Sequence, residues 1–245
     1  MITKAIIKEI LKELGNKRKA TEPYLSEAQF QFELAWVIKE KFNNAKILLE
    51  YTACIMKSSK EDETGKAKGK TKRFESDIIV LFDDKYQVIE LKYKTAKSTI
   101  NNVQLVPQGG QPGTKYDYLW DIHRIELLKE RPTEDDQGNS YEYRLDKKCT
   151  GGYAIFLTND SSYYGAQEQP DDSAYQFRLE KSREIDKSKD LQWEGEEKDW
   201  MSPRPSFSFL GNRQLGNWET FYEYTYKSRK KEKKKEFKYL ITEIK

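Results

Sequence analysis

The chain has 245 residues, of which 35 % are charged and 13 % aromatic, and its formal net charge is +3. This length and aromatic content favour a packed globular protein with one sizeable core over a disordered chain. No stretch approaches the ~18 apolar residues of a membrane span, lysines interrupt the apolar N-terminus where a signal peptide would need a core, and two cysteines make no disulfide framework. We therefore expect a cytoplasmic protein without a membrane partner.

Basic charge is concentrated in two segments. Residues 57–73 contain seven basic and three acidic residues, and residues 227–238 contain eight basic and two acidic residues. These segments carry +4 and +6, so the rest of the chain carries −7. Such a distribution fits a surface that faces a polyanion, although solvated hairpin tips would produce the same lysine runs.

Two helices are predicted at the start of the chain. Apolar residues recur at helical spacing over residues 2–14, and Gly15 is a plausible stop before a basic linker at 17–19. Ser26 then begins a second helix, with Gln29 three residues later as a capping box. The expected end of this helix is at residues 43–44.

The middle of the chain predicts a mixed sheet flanked by helices. A crossover containing a helix separates the third strand from the fourth, and a crossover of that length permits parallel pairing. The predicted elements are strands at 47–56, 73–82 and 87–94, a Gly/Pro loop at 99–114, a helix at 116–129, a polar excursion at 132–140 and a strand at 152–158.

From about residue 165 the pattern loosens into shorter alternating segments. We expect residues 165–245 to be a β-rich elaboration of the same domain, so that residues 1–245 form one domain of α/β class. The predicted strands in this part are 175–179, 206–210, 220–226 and 237–244.

Charged side chains interrupt two of the buried strands. Asp77 lies in the second predicted strand, and Glu90 and Lys92 lie two apart in the third, so these two side chains share a face. Burial of a carboxylate costs several kcal/mol unless a partner compensates. Asp77, Glu90 and the main-chain carbonyl of Leu91 would form an all-oxygen site suited to Mg²⁺ or Mn²⁺. The alternative is a plain ion pair between Glu90 and Lys92 on a half-exposed strand.

This order of elements, with an acid in the second strand and Glu-x-Lys in the third, resembles the PD-(D/E)XK nuclease superfamily, which has the restriction-endonuclease-like αβββαβ fold. The resemblance covers residues 26–160, with Ser76 in place of the motif's proline. It implies that Asp77 and Glu90 hold one or two Mg²⁺ ions and that Lys92 orients or deprotonates the attacking water. A divalent ion and a lysine would stabilise the charge that develops during phosphodiester cleavage.

Members of this superfamily often add an acid from the first core helix. Glu27 falls inside the core-facing arc of the second predicted helix, with Gln31 one turn later on the same side. Glu33 lies just outside the arc. We favour Glu27, although an acid in the first turn also complements the helix dipole.

Five residues are candidates for contact with substrate, and the first is Gln31 of the second predicted helix. Lys94 and Lys97 extend the face of Lys92 and could contact a nucleic-acid backbone. Asp121 and Arg124 recur at helical spacing in the 116–129 helix, where a surface ion-pair set is an equal explanation. His123 is the only histidine, and without Cys or His partners it does not favour zinc.

The sequence leads to a metal-dependent deoxyribonuclease as the main hypothesis. A non-catalytic nucleic-acid-binding module on the same scaffold and a domain that binds an acidic protein are the competing hypotheses. Dimers are common in this fold, so a homodimer is compatible with the resemblance. The form of the DNA, its sequence, the choice of DNA over RNA and the biological role are not determined by the sequence.

Overall fold

The computed structural model describes residues 1–57, 71–135, 138–165, 172–195, 199, 201, 204–228 and 231–245. Most of the first lysine-rich segment and part of the second lie outside these residues. The helices are α1 (Lys4–Ala20), α2 (Glu27–Lys41) and α3 (Gln111–Glu130), with short 3₁₀ turns at Ser161–Tyr163 and Tyr175–Phe177. The strands are β1 (Lys46–Lys57), β2 (Thr71–Leu81), β3 (Lys85–Lys94), β4 (Ser98–Ile100), β5 (Val103–Leu105), β6 (Ser140–Tyr143), β7 (Lys148–Thr158), β8 (Glu184–Ile185), β9 (Arg213–Gln214), β10 (Trp218–Ser228) and β11 (Lys231–Ile244).

Seven strands form one mixed sheet in the order β10-β11-β7-β3-β2-β1-β6. All neighbouring pairs are antiparallel except β3 and β7, which are parallel and are joined by the crossover that contains α3. The predicted mixed α/β architecture is therefore confirmed. The two C-terminal strands complete the same sheet rather than a separate one.

The sheet separates two apolar cores. On one face, α1 and α2 cover a core that includes Ile78, Ile89 and Leu91. On the other face, α3 and the segment after β7 cover a core that includes Ile79 and Val88. Because side chains alternate along a strand, Asp77, Glu90 and Lys92 belong to the face that α3 covers.

The first helix is longer than its sequence pattern predicts. Gly15 does not end α1, which continues through the supposed linker at 17–19 to Ala20. A Cβ atom at Gly15 would lie 2.2 Å from the backbone oxygen of Phe221 in β10. Glycine is present here because the helix backbone approaches a strand closely, and not because the helix stops.

The second helix follows its prediction closely. Ser26 caps α2, its hydroxyl accepting a hydrogen bond from the amide of Gln29 at 3.1 Å. The side chain of Gln29 accepts in return from the amide of Leu25 at 2.8 Å, one residue before the cap. The Ser26 cap is thus confirmed, although Gln29 binds the amide before the cap residue rather than that of Ser26, and the helix ends at Lys41, two residues before the predicted end.

The predicted loop at 99–114 was wrong at both ends. It contains the β4–β5 hairpin, and α3 begins at Gln111, inside the Gly/Pro cluster. Pro112 occupies the first turn of α3, where a missing amide hydrogen removes no helical bond. The excursion at 132–140 leads into β6, an edge strand whose pairing with β1 the sequence did not reveal.

Two strands predicted in the C-terminal part were also wrong. In the predicted strand at 175–179, Tyr175–Phe177 form a 3₁₀ turn, which packs Phe177 against Tyr116 of α3 with ring centroids 5.1 Å apart. Residues 206–210 make only an isolated bridge, between Leu191 and Phe207. Aromatic residues in these segments serve the packing on α3 rather than a sheet.

Within the described residues, no helix is long and apolar enough to cross a membrane. Both cysteines, Cys54 and Cys149, are buried and form no disulfide bond.

Gly15→Ala tests the close approach of α1 to β10. Helix propensity alone predicts a gain of about 1 kcal/mol, whereas the clash with Phe221 predicts a loss of about 1–3 kcal/mol. Chemical denaturation of both proteins measures the difference. Gly109→Ala is the control, because no atom lies within 4 Å of its added Cβ, and a stabilised Gly15→Ala protein would contradict the packing described here.

Candidate active site

The candidate site lies where β2 and β3 part from one another. Their residue pairing runs from Leu81 opposite Tyr86 to Ile78 opposite Ile89 and is not continued to Asp77 and Glu90. Backbone groups on the facing edges beyond this point lack strand partners and need others.

Side chains supply those partners. The carboxylate of Asp77 accepts a hydrogen bond from the amide of Leu91 at 2.5 Å, and Gln31 donates to the carbonyl of Asp77 at 2.7 Å. Glu27 accepts from the amide of Tyr93 at 2.6 Å. Thus α2 inserts Glu27 and Gln31 into the gap between the two strands. The side of α2 that contains Glu27, predicted to face the core, does face the sheet.

The α3 helix closes the gap from the other side. Arg124 donates to Glu90 at 2.9 Å, to Asp121 at 3.2 Å and to the carbonyl of Glu75. Lys92 forms its ion pair with Asp121. Asp121 and Arg124 are therefore part of a buried network and not a surface ion-pair set. The alternative of a Glu90–Lys92 pair is not what the structure contains.

The cluster contains more negative than positive groups. Glu27, Asp77, Glu90 and Asp121 face two cations, Lys92 and Arg124, so full ionisation of the four acids would leave two negative charges unbalanced. Burial, opposed by Lys92, raises the pKa of Asp77 to about 7. Burial also raises the pKa of Glu90 well above its usual range despite Arg124, and raises the pKa of Glu27 despite Lys92. A further cation would relieve this excess.

Lys92 is held in its charged form. Burial by itself would lower its pKa, but Asp121, Asp77 and Glu27 outweigh burial and raise the pKa of Lys92 above its ordinary value. Its ammonium group also donates to the carbonyl of Leu91 at 3.1 Å. This environment suits Lys92 to stabilise negative charge and argues against the expectation that it deprotonates water.

The oxygen donors match a hard divalent ion in type. Asp77 uses Oδ2 for Leu91, and Glu90 uses Oε1 for Arg124, so each carboxylate keeps a second oxygen outside these bonds. With the Leu91 carbonyl they form an all-oxygen set of the kind that Mg²⁺ or Mn²⁺ prefers. Among the described residues, no three His, Cys, Asp or Glu side chains are grouped closely enough to hold a metal ion by themselves. Such a site therefore depends on the main-chain carbonyl and on water or substrate oxygens.

The two candidate helix acids have different surroundings. Glu33 turns away from the site to α1, where it pairs with the buried Arg18 and accepts from the Tyr24 hydroxyl at 3.2 Å. Glu27, in contrast, lies close enough to Lys92 for that lysine to lower its pKa. Of the two, only Glu27 reaches the cluster.

The two lysines expected to contact a nucleic-acid backbone also differ. Lys94 is half-buried, and its charge acts on Glu27, so it borders the cluster. Lys97 is exposed, and within the described part of the chain its side chain makes no ion pair or hydrogen bond with the cluster. The structure does not bring Lys97 to the site.

Glu50 is a neighbour of the site that sequence reasoning missed. It accepts a hydrogen bond from Gln31 at 2.6 Å, so that Gln31 links Glu50 to the Asp77 carbonyl. Its backbone is left-handed, with φ of 49° in the middle of β1, which costs on the order of 1 kcal/mol for a residue other than glycine. No local sequence signal marks this irregularity, because it arises from the pairing of β1 with β2.

Comparisons with known proteins do not supply a family for this chain. No family model matches it, and neither the curated proteins nor the solved structures contain a match. Statements about its function therefore depend on the geometry and chemistry of the site.

Asp77→Asn is expected to stabilise the metal-free protein at pH 7 by about 1–3 kcal/mol. The pKa of Asp77 rises from 3.8 to about 7 on folding. Its ionisation therefore costs stability progressively as the pH rises through this range, and the amide removes that cost while its oxygen can still accept from Leu91. Urea denaturation in EDTA at pH 4 and pH 7 measures the difference.

The control for this measurement is Asp84→Asn, which changes an exposed acid in the β2–β3 turn. Its effect on stability should be within about 0.5 kcal/mol at both pH values. Equal stability of Asp77→Asn and the unmodified protein at pH 7 would contradict the excess of buried negative charge.

Proposed function

We propose that the chain is a metal-dependent nuclease that hydrolyses phosphodiester bonds in DNA. The observation that carries the proposal is a buried network at the end of the β2–β3 pairing in which four acids, Glu27, Asp77, Glu90 and Asp121, outnumber the two cations Lys92 and Arg124. The order of the main elements, α2-β1-β2-β3-α3-β7, supports it, because it is the αβββαβ order of the restriction-endonuclease-like core once the β4–β5 hairpin and the edge strand β6 are set aside as insertions.

Asp77, Glu90 and the Leu91 carbonyl would hold Mg²⁺ or Mn²⁺. When bound, the ion would act as a Lewis acid towards the phosphate oxygens. Lys92, held cationic by its acidic neighbours, would stabilise the negative charge that builds on the phosphate as water attacks phosphorus. Glu27, with its raised pKa, is suited to accept the proton of that water as the bond to the leaving oxygen breaks. Gln31, Asp121 and Arg124 would position these groups rather than react.

Cleavage assays with matched variants test this proposal. Plasmid, linear, junction and single-stranded DNA are incubated with Mg²⁺ or Mn²⁺ and each purified protein. We expect Asp77→Ala and Glu90→Ala to abolish cleavage and Lys92→Ala to lower its rate by at least about 10²-fold, as for the loss of a group that stabilises developing charge. Asp84→Ala, in the turn between the same strands, and Lys85→Ala, at the first residue of β3, change exposed side chains, and both proteins should cleave normally. Normal cleavage by the Asp77 and Lys92 variants would refute the assignment.

The second candidate is a nucleic-acid-binding module without catalysis. It is favoured by the absence, in the part of the chain that the structure describes, of three acidic or imidazole side chains grouped tightly enough for a metal. Titration calorimetry separates the two functions. A nuclease should bind Mg²⁺ or Mn²⁺ with a measurable heat that is lost in Glu90→Ala, whereas a binding module should show no heat of metal binding. A cytoplasmic location and a homodimer remain part of the proposal.

A further inference from the structure

An aromatic pocket lies beside the carboxylate cluster. It has a volume of about 240 Å³ and lies between α3, β6 and the segment around Phe207. Apolar and aromatic side chains form most of its wall, namely Met56, Trp120, His123, Leu127, Tyr141 and Phe207.

The wall of this pocket is held by ring-to-ring packing. The rings of Trp120 and His123 lie 5.0 and 5.2 Å from the ring of Phe207, and 5.1 Å from each other. Trp120 Nε1 and His123 Nδ1 are buried without a hydrogen-bond partner among the described residues. These contacts, together with the stacking of Tyr116 on Trp120 at 6.1 Å, hold the rings in place. Aromatic surfaces of this kind can stack on a planar ring.

The buried ring of Phe74 lies between the pocket and the candidate active site. Arg124, which binds Glu90, lies 6.0 Å from the ring centroid of Phe74. The same ring lies 6.3 Å from Trp120 and 6.4 Å from Tyr141. The ring of Phe74 would therefore separate a group bound in the pocket from Arg124 and Glu90, which belong to the network proposed to surround the reacting phosphate.

Of the described residues, one lysine and two acids line the pocket. Lys72 lies with its ammonium group 4.7 Å above the ring of Trp120, and no carboxylate is within ion-pair distance of it in the described residues. Glu134 and Asp135 also line the pocket, and Asp135 accepts hydrogen bonds from Asn139 and from the Tyr141 hydroxyl. The acids repel a phosphate, and the exposed Glu134 can accept a hydrogen bond from an amino or imino group of a base.

We propose that this pocket binds an unpaired nucleobase of the DNA strand whose neighbouring phosphate lies at the carboxylate cluster, with Lys72 on the adjoining backbone. This inference rests on the proposed function and narrows its substrate. A base inside an intact duplex cannot reach such a pocket without leaving its stack. The preferred substrate is therefore single-stranded or locally unpaired DNA.

The test compares two labelled strands of equal charge. Fluorescence anisotropy in EDTA measures the binding of a thymidine 12-mer and of a 12-mer made of abasic sites. The unmodified protein should bind the thymidine strand about tenfold more tightly, as expected for the stacking of a base. Trp120→Ala should reduce this ratio to about one, whereas Trp120→Phe, which keeps an aromatic face, should retain most of it.

Two further changes serve as controls. Trp36→Ala removes an exposed tryptophan from the outer surface of α2 and should leave the ratio unchanged. Lys72→Ala should weaken the binding of both strands by a similar factor, because a phosphate contact does not depend on the base. If Trp120→Ala does not fold, Ser206→Leu replaces it: this exposed residue lines the pocket, so a larger side chain should block entry without removing a packed ring.

The outcomes separate the pocket from the catalytic proposal. A ratio near one for the unmodified protein, or an unchanged ratio in Trp120→Ala or Ser206→Leu, overturns the inference even if the protein cleaves DNA with Mg²⁺. Loss of the ratio in these variants supports it, even if no cleavage is detected. Because EDTA removes divalent ions, the binding result does not depend on the metal site.

Discussion

The separation of β2 from β3 is the constraint on which the candidate site depends. Two strands that part inside a covered sheet expose backbone donors and acceptors that must find other partners. Asp77, Glu27 and Gln31 provide them, so the same side chains complete the backbone hydrogen bonding and bring carboxylates together. The carboxylates of the site therefore also complete the backbone hydrogen bonding of the sheet.

Two helices on opposite faces hold this gap. From one face, α2 contributes the groups that bind the free strand edges. From the other, α3 contributes Asp121 and Arg124, which bind Lys92 and Glu90. The ion pairs fix the positions of these groups, but the acids outnumber the cations by two. Burial raises the pKa values of Asp77, Glu90 and Glu27, so ionising them costs stability, which is a feature that functional sites often share.

The crossover helix also links the site to its surroundings. Neighbouring stripes of α3 present Asp121 and Arg124 to the carboxylates and Trp120 and His123 to the aromatic pocket. One helix therefore sets the distance between a charged centre and a planar, apolar binding surface. The proposed nucleic-acid ligand would use both surfaces, because a strand is charged along its backbone and its bases are flat.

The sequence by itself determined the helices and the main strands of residues 26–160, and it singled out Asp77, Glu90 and Lys92. It could do so because hydrophobic periodicity and charges inside apolar strands are local signals. For the acid supplied by the second helix, the sequence left two candidates, Glu27 and Glu33, and favoured Glu27. Helical periodicity shows on which side of a helix a residue lies, but it does not show which residue the side chain binds. Gly15 was misread because a glycine that ends a helix and one that allows close packing look alike in sequence.

Only the tertiary structure decided the partners and the surroundings. The pairing of Lys92 with Asp121, the place of Glu50, the edge strand β6 and the aromatic pocket all arise from contacts between residues far apart in the chain. The energies of buried charges depend on the full set of neighbouring groups. Local patterns can therefore identify charged residues that need compensation, whereas the groups that compensate them emerge only when the chain is folded.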